Sequence, residues 1–223
     1  MSVDYRKVHD QVASLSPSVS LMAVSKTHPY EAVLEAYGQG ARLFGENRVQ
    51  EAASKFPEPS RRPEGMKLCL IGHLQRNKAK RALEVFDRID SVDSLALMDE
   101  LEKRLAQLER TFPILFELRS SGEEQKTGFA DEGALMEAVA HLEACPHLIL
   151  RGLMTVGPLD GGGEGTRMAF RRTKALYDRL IAQGLELSVL SMGMSGDWTL
   201  AIEEGSNEVR IGTAIFGARN YNA

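Results

Sequence analysis

Short apolar runs recur along the chain, each followed by a longer segment in which apolar residues return every third or fourth position. The runs predict eight strands, at 19–25, 42–45, 67–72, 88–92, 113–118, 148–154, 186–191 and 208–212. The segments between them carry helical spacing. In 94–110, Leu95, Met98, Leu101, Leu105 and Leu108 fall on one stripe, and 166–183 repeats the pattern. Pro29 and Asp131 stand where a first helical turn or cap wants them, and Gly184 follows the last periodic residue of its helix. Eight strands alternating with helices leave two α/β architectures, an open doubly wound sheet or a closed (β/α)8 barrel of the TIM type. The count of eight favours the barrel, and so does a length of 223 residues, a little under the roughly 250 typical of that fold. No Pro/Gly/Ser linker divides the chain, so residues 1–223 are expected to form one barrel domain.

The one glycine-rich stretch, "PLDGGGEGT" at 158–166, lacks the lysine and the strand–helix spacing of a phosphate-cradling P-loop. It is read as a mobile loop after the sixth strand, without chemistry.

In a barrel of this kind ligands sit at the carboxyl ends of the strands, and a phosphate often binds after the seventh and eighth. The seventh strand runs into "SMGMSGDWTLAIEEGS", where Gly193 and Gly196 flank Met194 and Ser195 and Asp197 is placed to cap a short helix ending at Gly205. The eighth gives "VRIGTAIFG": Gly212 allows close approach of backbone to a ligand, and Thr213 offers an N–H and a hydroxyl. Two donor-rich turns at the two expected strand ends predict a phosphate site, to which Ser195 adds a hydroxyl.

Closure then gives meaning to Lys26, at the end of the strand-like "SLMAVSK". In a barrel the first strand pairs with the eighth, so Lys26 ends beside Gly212 and Thr213, and Arg210 points to the same mouth. A lysine in a desolvated site near a second cation is a nucleophilic amine. Lysine plus phosphate pocket suggests a carbonyl-bearing phosphate ligand held as a Schiff base: pyridoxal phosphate, or a phosphosugar in an aldolase.

Composition narrows the partners. Hydrophobic residues make up 43% and charged residues 26%, as in ordinary globular proteins, and the net charge of −4 offers no basic excess to neutralise nucleic-acid phosphates. Cys69 and Cys145 show no metal-like or CxxC spacing, which fits a reduced cytoplasmic setting, and Cys69 lies in an apolar run expected to be core. The amino terminus has no apolar signal region, and no stretch approaches the length of a membrane helix. A cytoplasmic protein with neither nucleic-acid nor membrane partners is expected.

The segments "AVSKT", "FGENRVQE", "IGHLQRNK", "SVDS", "KTGF", "RGLMTVGP", "LSMGMSGD" and "VRIGTAIFG" together resemble the pyridoxal phosphate homeostasis protein family, whose members are shaped like the barrel domain of alanine racemases. The resemblance implies a carrier or regulator in vitamin B6 homeostasis with no established turnover, so no residue is assigned a catalytic role. It implies pyridoxal 5'-phosphate as cofactor, apo forms of pyridoxal phosphate enzymes as recipients, and a monomer or weak dimer. Carried over, Lys26 is the Schiff-base lysine, Asn47 lies near the cofactor ring, Ser195, Gly212 and Thr213 hold the phosphate, and Arg210 faces the pyridine nitrogen. Asn47 has a second reading as the cap of the helix starting near Arg48. The chain departs from the family at "FELRSS", where a Gln-Val-Asn run is usual, and in "LCLIGHLQ", where an aromatic and a histidine usually precede the Ile-Gly. Glu117 and Arg119 are thus expected either to replace a polar ring contact or to pair with each other. His73 is read as a structural hydrogen-bonding residue at the barrel mouth.

Arginine at the ring nitrogen cannot accept a proton, so it disfavours the pyridinium that transaminases and decarboxylases use. Racemisation remains as the alternative function. It needs a second acid–base group on the opposite face, which alanine racemases take from a further domain. Here "GARNYNA" follows Phe216, with Tyr221 as its only tyrosine, and that domain is expected to be absent.

Overall fold

The computed structural model describes residues 3–119, 127–158 and 162–218. Eight parallel strands close into a barrel in sequence order. Along the chain the elements are α1 (Tyr5–Leu15), β1 (Ser20–Val24), α2 (Tyr30–Gly38), β2 (Leu43–Glu46), α3 (Val49–Lys55), β3 (Lys67–Leu70), α4 (Ala79–Val85), β4 (Arg88–Val92), α5 (Leu95–Gln107), β5 (Phe112–Arg119), α6 (Glu132–His141), β6 (Leu148–Val156), α7 (Gly162–Ala182), β7 (Val189–Ser191), α8 (Trp198–Glu203), β8 (Glu208–Ile211) and α9 (Thr213–Phe216). Closure is made by β1 on β8, with Met22 opposite Arg210 and Ala23 opposite Ile211.

Each strand sits where its apolar run lies, because both faces of a barrel strand are covered and the run need not alternate. Met22, Ala23, Phe44, Leu68, Leu70, Ile89 and Ile114 are fully buried. The helices pack on the outer face. On α5 the inner stripe is Leu97, Met98, Leu101 and Leu105. Leu108 lies past the end of that helix and is 56% exposed, because the chain leaves the helix there and reaches positive φ at Glu109. The cap positions hold: Pro29 precedes α2 in extended conformation, and Asp131 Oδ1 accepts the Ala134 N–H at 2.9 Å.

Two expectations are corrected. The glycine-rich stretch is not all loop: Gly162, Gly163 and Gly165 lie in the first turns of α7, which begins at Gly162, while 159–161 fall outside the described residues, as does Tyr221. β7 is short, since only Val189–Ser191 pair with β6, and one pair, Ser191 with Glu208, joins it to β8.

The amino-terminal end of the barrel interior is ionic. Arg88 opens β4 and Glu208 opens β8, on opposite sides of the ring. The Arg88 guanidinium donates to Asp90 Oδ1 at 2.6 Å and Oδ2 at 2.8 Å, and to both Glu208 oxygens at 2.8 Å. Burial works against the Arg88 charge, but Asp90 and Glu208 outweigh it and raise its pKa above the ordinary value. Cys69 lies buried in the same layer, its thiol pushed well up by burial.

Candidate functional site

At the carboxyl-terminal mouth a cavity of about 280 Å³ is lined by Lys26 after β1, Ser195 after β7, and Arg210, Gly212 and Thr213 of β8 and its following turn. Five of the six residues expected at a site are thus brought together by closure of β1 on β8. Val24, Ile71, Met194 and Gly196 complete the wall.

Lys26 is set by a turn rather than by the strand itself. The His28 N–H returns to the Ser25 carbonyl at 3.1 Å, and Thr27 adopts φ of 65°. A β-branched residue in the left-handed region is strained by about 1–2 kcal/mol, so neighbouring groups must hold it. They do. Glu51 Oε1 accepts the Thr27 N–H at 2.6 Å, and Lys55 Nζ donates to the carbonyls of Ser25 at 2.8 Å and His28 at 3.1 Å. Lys55 is itself fixed by Glu46 Oε1 at 2.5 Å, an oxygen that also accepts the Ser25 hydroxyl at 2.6 Å. Burial raises the Glu46 pKa, with the Lys55 charge opposing. Sequence reasoning missed this clamp. Its one signal was Glu46 inside "FGEN", a carboxylate ending an apolar strand.

The phosphate-side turns differ in construction. Gly193 has φ of +98°, and a Cβ there would lie 2.6 Å from Ala201 Cβ and 2.9 Å from Trp198 Cα, so only glycine fits. Asp197 occupies the N-cap position of α8 without capping it. Its Oδ1 instead accepts the Met194 N–H at 2.6 Å, which tightens the turn and leaves Ser195 exposed toward the cavity. At Gly212 an added Cβ would point at the Val24 carbonyl, 3.0 Å away. That glycine lets β8 approach β1 closely where both meet the cavity wall.

Arg210 is 3% exposed. Its Nη1 donates to Ser191 Oγ at 2.7 Å and its Nη2 to the Thr155 carbonyl at 2.7 Å. Burial lowers its pKa, against the opposing charges of Glu208 and Asp90. The guanidinium is therefore held by β6 and β7 at the inner wall of the cavity.

Asn47 stands outside the lining, just past the end of β2. It does not cap α3, whose N-cap is Arg48. Its Oδ1 is buried without a hydrogen-bond partner, which costs roughly 1–3 kcal/mol unless a ligand donates to it. Glu117 on β5 accepts the Thr127 hydroxyl at 3.1 Å, and its Oε2 is likewise buried without a partner. Burial is the main cause that raises the Glu117 pKa to about 7. His73 Nδ1 lies 2.9 Å from Asp93 Oδ2, the structural contact expected of it.

The sequence profile of the alanine racemase N-terminal domain matches residues 5–220. A pyridoxal phosphate homeostasis protein of Vibrio alginolyticus is 42% identical over 210 residues, covering 92% of this chain and 88% of that one. The chain belongs to the pyridoxal phosphate homeostasis protein family. PipY of Synechococcus elongatus PCC7942 has been solved without and with pyridoxal phosphate bound. This family member superimposes with TM-scores of 0.88 and 0.86 at 39% and 38% identity, over 96% of this chain and 99% and 100% of that one. The alanine racemase of Clostridium difficile 630, at 15% identity and a TM-score of 0.80, shares the fold over the whole of this chain and 58% of its own. Among the described residues, no helix is long and apolar enough to cross a membrane.

The donor set fits the cofactor that PipY binds. An amine, two hydroxyls at turns and a buried guanidinium line one cavity, and these are groups that an aldehyde, a phosphate and a heteroaromatic ring call for.

Proposed function

We propose that this protein binds pyridoxal 5'-phosphate through Lys26 and acts as a carrier or regulator of that cofactor rather than as an enzyme. The observation that carries the reading is the convergence of Lys26, Ser195, Arg210 and Thr213 on one cavity at the ends of β1, β7 and β8. The family membership supports it.

When bound, the cofactor supplies an electrophilic aldehyde carbon and, toward amino acids, a ring that accepts electrons. The chain's own residues bind and orient it. Lys26 presents its amine from a turn whose two flanking carbonyls are tied to Lys55, so little ordering remains to be done on binding. Ser195 and Thr213 donate hydroxyl protons to phosphate oxygens, and charge-assisted bonds of this type contribute about 1.5–3 kcal/mol each. Arg210, fixed by Ser191 and Thr155, meets the pyridine nitrogen with N–H donors only and leaves that nitrogen unprotonated. Asn47 Oδ1 accepts a hydrogen bond at the ring edge, which relieves its burial without a partner.

The carrier reading rests on the make-up of the cavity wall. Among the described residues lining it, Lys26 brings the one amine. The others are apolar, hydroxyl-bearing or guanidinium. Racemisation needs a donor and an acceptor on opposite faces. The loaded protein is therefore expected to leave single enantiomers of alanine and serine optically active in heavy water, with at most exchange of the α-hydrogen for deuterium. Rapid loss of optical activity that disappears in Lys26→Ala would contradict the carrier reading.

A further inference from the structure

On the outer wall, toward the end of the barrel opposite the mouth, α5, α6 and the segment leading into β6 bring together side chains that the cofactor site does not use. Asp99 lies on α5, His141 is the last residue of α6, and Cys145 lies four residues later, just before β6. One ligand atom from each of the three lies within 4.8 Å of the others. His141 Nε2 is 2.7 Å from Asp99 Oδ1.

We propose that Asp99, His141 and Cys145 form a site for one Zn²⁺ ion, bound through a carboxylate oxygen, an imidazole nitrogen and a thiolate, with water in the fourth position. The donor set is the argument. Sulfur, imidazole and carboxylate together suit zinc, whereas calcium and magnesium take oxygen alone. Bonds of about 2.0–2.3 Å in tetrahedral array put neighbouring ligand atoms about 3.3–3.8 Å apart. The His141–Asp99 contact of 2.7 Å lies below that range and the other separations do not exceed 4.8 Å, so small side-chain rotations bring the three to it. His141 and Cys145 are four residues apart at a helix end, within the spacing that paired zinc ligands commonly show.

The support for the ligands is already in place. The Cys145 N–H donates to the Leu142 carbonyl at 2.9 Å, and its own carbonyl accepts from Leu148 N–H at 3.0 Å, so the cysteine backbone is anchored on both sides. One turn beyond Asp99, Glu102 accepts the His147 N–H at 3.0 Å and lies 2.6 Å from His147 Nδ1. That contact ties the 141–147 segment to α5 independently of the metal. Cys145 is buried and Asp99 is exposed, so the ion enters from the carboxylate side. On binding, the thiol releases its proton to solvent and the Asp99–His141 hydrogen bond opens to admit the ion.

The test uses the full chain, stripped with chelator and titrated with Zn²⁺ against a competing indicator, and separately with Co²⁺. The expected results are one equivalent of zinc, a thiolate-to-cobalt charge-transfer band, and a melting temperature that rises with zinc concentration. Loss of a supporting residue around a bound metal costs about 10–100-fold in affinity, so Cys145→Ser and His141→Gln, which remove ligands, should each weaken binding by at least about a hundredfold. Both variants should take up pyridoxal phosphate as the parent does, since the mouth lies at the other end of the barrel. Zinc affinity unchanged in both variants, or cobalt binding without the thiolate band, would overturn the proposal. So would no binding in the parent at all.

Discussion

The two ends of the barrel use their buried charged groups in opposite ways. At the floor, Arg88 spends its donors on Asp90 and Glu208, and the three side chains close on one another across the ring. At the mouth, Arg210 is more deeply buried and, among the described residues, is tied to a hydroxyl and a carbonyl. Asn47, just past β2, and Glu117, near the end of β5, each keep one buried oxygen without a hydrogen-bond partner. A closed ionic network specifies how the strands assemble, whereas buried polar atoms with unspent bonding capacity specify a ligand. The comparison predicts that floor variants act on stability and mouth variants on cofactor retention.

The largest effect is expected at the floor. Arg88→Ala leaves Asp90 and Glu208 buried without their counter-ion and should destabilise the fold by about 3–5 kcal/mol, read as a shift in the urea midpoint. The fraction that stays folded should bind pyridoxal phosphate with parental affinity. A selective loss of cofactor affinity with unchanged stability would erase the distinction between the two ends.

Next comes Glu117, the mouth residue whose cost is visible without ligand. Its folded pKa of about 7 lies above the usual 4.5, so the folded state binds the proton more tightly than the unfolded chain. Stability from this group is thus full below about pH 4.5, declines as pH rises through about 7, and stays low above that. At roughly 1.4 kcal/mol per pKa unit, the difference is about 3 kcal/mol. Glu117→Gln should remove this dependence and be the more stable protein at pH 8, with little difference at pH 4.5. Parallel pH profiles of parent and variant would place Glu117 in a solvated setting instead.

Smaller and confined to the ligand are Ser195→Ala and Thr213→Ala. Each should weaken pyridoxal phosphate binding by about 1.5–3 kcal/mol, or roughly 10–150-fold, without moving the melting temperature of the unloaded protein. Pyridoxal, which lacks the phosphate, should bind parent and variants alike. Equal affinity of the parent and the double variant for pyridoxal phosphate would put the anion elsewhere.

Much of this contrast was legible in the sequence, and unevenly. Strand positions were readable because barrel strands are covered on both faces and appear as plain apolar runs. The mouth was readable because closure of β1 on β8 turns two distant motifs, "AVSKT" and "VRIGTA", into neighbours. The floor was not. Arg88, Asp90 and Glu208 are ordinary charges along the chain, and only the ring brings residues 120 positions apart into contact. The Lys55–Glu46 clamp was hidden for the same reason, since a lysine at the end of a short helix reads as a solvated cation. Asp197 was placed correctly but given the wrong work, since its carboxylate takes the Met194 N–H three residues back rather than a helix N–H.

The central claim is that Lys26 is the amine that carries the cofactor. Incubation with pyridoxal phosphate, reduction with borohydride and peptide mass spectrometry test it most directly. The account predicts a single pyridoxyl adduct on Lys26, absent from Lys26→Ala, even though that variant still retains some cofactor through Ser195 and Thr213. An adduct on Lys55, Lys78, Lys80 or Lys126 with Lys26 unmodified would contradict it.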